Sequence, residues 1–100
     1  MFGAGGTVHS GDGIEVVWVA KQDEPIDADW FSTDTVDLML VVRGRLRVEF
    51  ADQAFPELTL DTGQLLVLPA HTRCRAYRWP RDSREATVFV AVDPQAARVG

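Results

Sequence analysis

From residue 14 onward, apolar residues recur at every second position, and no ten-residue stretch carries a helical stripe with its end caps. Ile14–Lys21 (IEVVWVAK) is rich in the β-branched and aromatic side chains that suit a pleated surface. Val36–Arg43 (VDLMLVVR) is apolar on both faces apart from Asp37. Arg45–Phe50 (RLRVEF) alternates, with Leu46, Val48 and Phe50 on one face and Arg45, Arg47 and Glu49 on the other. Gly44 between these two runs predicts a tight hairpin. Leu58–Leu60 reads as a short strand, and Asp61-Thr62-Gly63 as a turn. Gln64–Leu68 reads as a buried strand stopped by Pro69. Thr72–Trp79 and Glu85–Val92 follow, separated by a turn around Pro80-Arg81-Asp82-Ser83. The one helical candidate is a terminal turn at Pro94–Val99. Seven or eight short strands punctuated by Gly and Pro predict an all-β sandwich or barrel.

The chain has 100 residues, enough for one domain with one modest core. The organisation expected is a flexible or loosely docked Gly-rich arm at 1–13, a β-barrel at 14–93 and a tail at 94–100. The arm has five glycines, at 3, 5, 6, 11 and 13, and little to bury. Their irregular spacing, with no strand before them, is not a dinucleotide fingerprint. Hydrophobic residues make up 46% and charged residues 25%, which argues against disorder. No stretch approaches the ~20 apolar residues of a membrane helix, and no secretory signal is visible at the start. A single cysteine excludes an internal disulfide framework and a Cys-rich zinc site, and suits a cytoplasmic location.

With a net charge of −5 and a pI near 4.8, the chain lacks the electrostatic footprint of a nucleic-acid binder. The charge is uneven. Residues 1–42 hold one base, Lys21, against eight acids, and residues 43–100 hold nine arginines against seven acids. The expectation is that the two halves pair across the folded domain. The alternative is an arginine patch, from Arg43, Arg45 and Arg47 or from Arg73 and Arg75, that receives an anion.

The strand order and turn placement resemble the small single-domain cupins over residues 25–92. That family's first motif reads roughly G-x5-H-x-H-x3-E-x6-G, and Asp37-x6-Gly44 fits its end. Its second motif reads G-x5-P-x-G-x2-H-x3-N, and Gly63-x5-Pro69 matches that spacing. The resemblance implies a double-stranded β-helix, or jelly-roll barrel, with ligands bound inside. It also marks departures. Phe31 and Thr33 stand at the histidines of the first motif, and Asp37 at its glutamate. In the second motif His71 stands at the glycine, Cys74 at the histidine and Arg78 at the asparagine. The usual three-histidine, one-glutamate metal centre is therefore not retained, and neither a metal nor another cofactor is expected. Were a metal present, its ligands would be Asp37, Cys74 and His71.

The barrel-interior candidates are thus Phe31, Thr33, Asp37, Met39, Cys74 and Arg78. As a nucleophile Cys74 would need a base and an oxyanion hole, and Arg73 and Arg75 point to the other face of their strand. Asp37 shares a face with Met39 and Val41, where an unpaired carboxylate would be costly. Either Arg78, which has the parity of Cys74 and Ala76, or a hydroxyl satisfies it, or it lines a wet pocket. Most of Trp18, Trp30, Phe31, Tyr77 and Trp79 are expected in the core or a dimer interface, with Trp30 or Phe31 filling the space of the missing metal. His9 is expected in solvent.

The function expected is binding of a small organic ligand in a sensor or accessory role, by a homodimer with no nucleic-acid or membrane partner. One alternative is an isomerase, epimerase or dioxygenase-type cupin enzyme with a degenerate centre. Another is a dimerising scaffold with a filled barrel. A pocket of roughly 300 Å³ or more lined by Asp37 would separate binding from scaffold.

Overall fold

The computed structural model describes residues 4–94. Eight strands follow in chain order: β1 Ala4–Gly11, β2 Ile14–Lys21, β3 Asp37–Arg43, β4 Arg45–Phe50, β5 Leu58–Leu60, β6 Leu65–Leu68, β7 Cys74–Trp79 and β8 Thr87–Pro94. They form a five-stranded sheet of order β1-β2-β8-β3-β6 and a three-stranded sheet of order β5-β4-β7. All pairings are antiparallel, so the architecture is the all-β double-stranded β-helix that the strand pattern and the motif spacing imply. No helix among the described residues is long and apolar enough to cross a membrane.

The inward side chains alternate along each strand, as pleating requires. Val19 on β2, Met39 and Val41 on β3, Leu46 and Val48 on β4, Leu60 on β5, Leu68 on β6, Cys74 on β7, and Phe89 and Ala91 on β8 make one core between the sheets. The outer face of the small sheet is polar and tied down: Arg47 pairs with Glu57 and Arg75 with Glu49, both at 2.7 Å. Arg47 also lies over Trp79 and Arg75 over Trp30. Tyr77, buried, donates its hydroxyl to Glu49 at 2.8 Å.

Four expectations need correction. The Gly-rich segment is not a loose arm from residue 4 on, because Ala4–Gly11 pairs with β2 along its length. Gly6 explains why glycine is tolerated there: a Cβ at that position would come within 2.7 Å of the Trp18 ring nitrogen. Gly44 does not close a hairpin, since β3 and β4 lie in different sheets. It turns the chain across the corner between them at φ +74, where a Cβ would press on Thr87 Oγ1 at 3.1 Å. β8 runs to Pro94, the first residue of the expected tail; the rest of the tail and of the proposed terminal turn lie outside the described residues. Finally, among the described residues no arginine–carboxylate bridge joins the two halves as expected. The arginine–carboxylate bridges Arg45–Asp61, Arg47–Glu57 and Arg75–Glu49 all lie within the second half. Arg75 and Arg81 reach the first half through the backbone carbonyls of Asp27 and Glu24 and, for Arg75, through the ring of Trp30.

Candidate functional site

A cavity of about 510 Å³ lies between the sheets at the end of the barrel where β3 begins. One inward position on each of three neighbouring strands lines that end of the cavity. Glu15 on β2 is paired in register with Asp93 on β8, and continuing the Leu38–Val92 register places Asp37 on β3 across Asp93's other side. Glu15, Asp93 and Asp37 therefore form a row of carboxyls, with adjacent strands roughly 4.8 Å apart. The next row inward is apolar, Val17, Ala91 and Met39, and the next is Val19, Phe89 and Val41. Cys74 and Ala76 on β7 complete the opposite wall, and Trp30 and Phe31 stand at the rim.

The rim belongs to the long connection from β2 to β3. It is held by a two-way bridge to β7: the Phe31 N–H donates to the Cys74 carbonyl at 2.8 Å, and the Cys74 N–H donates back at 2.9 Å. Further along, the His71 N–H donates to the Thr33 carbonyl at 2.7 Å. His71 itself has φ +65, the left-handed region in which the similar motif places glycine.

Asp37 is the group that defines the chemistry. It is 3% exposed, and its Oδ1, like that of Asp93, is buried without a hydrogen-bond donor. Burial, and after it the contact with Asp93, push the Asp37 carboxyl up to about 8, against the pull of the Leu38 backbone N–H. Like charges in adjacent cross-strand positions repel, so the pair holds a proton near neutral pH. Cys74 is a neutral thiol, raised to about 11 by burial and then by the charge of Asp37. It is a buried packing residue and not an activated nucleophile. Lys21 closes the far end of the β2 face; burial lowers its pKa, and Glu24 and Asp27 partly offset that.

Four of the six barrel-interior candidates line the cavity: Phe31, Asp37, Met39 and Cys74. Thr33 does not, because its hydroxyl turns back to the Thr35 carbonyl at 2.6 Å. Arg78 does point inward, as its parity requires, and is buried, but it does not meet Asp37. Its place on β7 is four residues beyond Cys74, about 13 Å along the strand, and its guanidinium donates to the Arg81 carbonyl. Phe31 stands at the rim, 47% exposed, so it does not fill the metal space. The conditional metal trio is not assembled. His71 is exposed on a loop with Asp34 as its nearest carboxylate at 3.9 Å, and among the described residues no three His, Cys, Asp or Glu converge on a metal position.

Sequence reasoning missed Glu15, Lys21 and Asp93. The signal was present in their parity, since Glu15 and Lys21 share a face with Val17 and Val19, and Asp93 with Phe89 and Ala91. What was lacking was the pairing of β2 with β8 and of β8 with β3, which brings three acids from distant parts of the chain together.

The fold and cavity define a small cupin-type barrel. No family model and no curated protein matches the chain. Solved structures do. A cupin-2 domain-containing protein from Shewanella frigidimarina superposes with a TM-score of 0.70 at 18% identity, over 91% of this chain and 79% of that one. An RmlC-like cupin family protein with a double-stranded β-helix fold, from Methanocaldococcus jannaschii, gives 0.74 at 8% identity, over 93% and 80%. The DMSP lyase DddQ from Ruegeria pomeroyi gives 0.78 at 8% identity, over 98% of this chain and 49% of that one. The chain has the fold of these proteins.

Proposed function

We propose that the barrel binds a small organic ligand, as a cytoplasmic sensor or accessory protein. The observation that carries this reading is the cavity of about 510 Å³, larger than the roughly 300 Å³ expected of a ligand pocket, with apolar side chains such as Val17, Met39 and Ala91 interspersed with charged ones. Titration with benzyl alcohol should shift the backbone amide resonances of Val17, Met39 and Ala91, and Ala91→Phe, which fills the space, should abolish those shifts while the protein stays folded. Unmoved amides at millimolar probe would retire the reading in favour of a filled scaffold.

The binding unit is a homodimer on this reading. The outer face of the large sheet exposes Leu40 and Val42 on β3 and Leu65 and Val67 on neighbouring β6, the last 54% accessible. An apolar strip of this kind on a sheet face calls for a partner, and its two strands lie side by side in the sheet. Light scattering at micromolar concentration should give about twice the chain mass, falling to one chain in Val67→Glu. A wild-type protein that runs as a clean monomer would refute the dimer.

A further inference from the structure

We propose that the cavity takes a small organic cation, an amine on an apolar body, with its charged end against Asp37 and Asp93 and its body along Val17, Ala91 and Met39. The inference rests on the reading of the cavity as a ligand site and adds the class of ligand. Glu15, Asp93 and Asp37 face the cavity from three adjacent strands, an arrangement that like-charge repulsion disfavours unless a proton or a cation is held between them. Within that row Asp37 is almost wholly buried and lines the cavity, and its Oδ1 has no donor among the described residues. An ammonium N–H would satisfy it, and its charge would replace the proton that Asp37 and Asp93 otherwise hold.

The bases of the lining are engaged elsewhere. Arg75 is bound to Glu49 at 2.7 Å and stacked on Trp30, and Lys21 lies three inward positions along β2 from Glu15, with Glu24 and Asp27 close by. An anionic ligand therefore has no counterpart in the cavity. A bare metal ion is disfavoured as well, because the carboxyls stand in a row and do not converge on one point. The apolar rows behind the carboxyls exclude a fully hydrophilic ligand, and the exposed ring of Phe31 at the rim offers a cation a π face.

Calorimetric titrations with benzylamine, benzyl alcohol and benzoate, matched in body and differing in charge, separate the possibilities. Benzylamine should bind about tenfold more tightly than benzyl alcohol, and benzoate most weakly. Asp37→Asn should remove the preference for the amine while still binding benzyl alcohol, which shows that the variant cavity is intact. Equal affinity for amine and alcohol, or a preference for benzoate, overturns the cation assignment and leaves the binding-site reading standing. So does an amine preference that survives in both Asp37→Asn and Asp93→Asn, or displacement of benzylamine by stoichiometric calcium. Failure of all three probes to bind overturns the binding-site reading itself.

Discussion

Asp37→Asn should stabilise the protein at pH 8 by on the order of 3 kcal/mol and leave it nearly unchanged at pH 4. The folded-state pKa of Asp37, about 8, lies above its ordinary value of 3.8, first because the carboxyl is buried and then because Asp93 faces it. Between those two values the folded chain holds a proton that the unfolded chain has released. Stability from this group is thus fully present below about pH 4 and is lost as pH rises toward 8. Asparagine has the same shape, carries no charge to desolvate, and its amide can donate to Asp93. Glu49 works in the opposite sense, since its bonds to Arg75 and Tyr77 lower its pKa and so weaken the fold as pH falls. The difference between variant and wild-type denaturation curves at each pH cancels that contribution and isolates Asp37. A variant less stable than wild type at both pH values would mean that Asp37 is ionised and held by a donor that asparagine cannot replace.

The same carboxyl shows what was legible before the structure. Its parity with Met39 and Val41 placed it inside the barrel, and the cost of burying it marked it as the residue to explain. Alternation along one strand is a local property, so Leu46, Val48, Met39 and Cys74 could be placed inside from sequence alone. Partners are not local. Arg78 was the plausible partner of Asp37 by parity, but parity fixes the face of a strand and says nothing about distance along it. The actual neighbour, Asp93, comes from a strand fifty residues away in the chain, and only the β3–β8 register brings the two together. The arm failed for a related reason. Glycines deprive a segment of side chains to bury, but β1 is held by its backbone bonds to β2, and close contact with Trp18 makes a small residue an advantage there. At Gly44 the sequence shows a turn but not its kind, because a tight turn and a corner between two sheets need the same positive φ.

Leu46→Ala should cost about 3–4 kcal/mol and lower Tm by roughly 15 °C, whereas Met39→Ala should cost about half as much. Leu46 is fully buried on β4, the middle strand of the small sheet, with β5 and β7 hydrogen-bonded on either side. The backbone around it cannot close in, so deletion of the side chain leaves a void lined by Val41, Val48 and their neighbours in the core. Met39 is nearly as buried, but one of its sides already faces the cavity. Atoms bordering a void lack partners on that side, so the native side chain has less dispersion energy to lose. Methionine is also the larger and more flexible side chain, and size alone would make its truncation cost at least as much as that of leucine. The ordering Leu46 above Met39 therefore depends on the cavity. Thermal melts that give equal losses, or a greater loss for Met39→Ala, would show that the barrel is packed at that end in solution, and would remove the ground for a ligand between the two sheets.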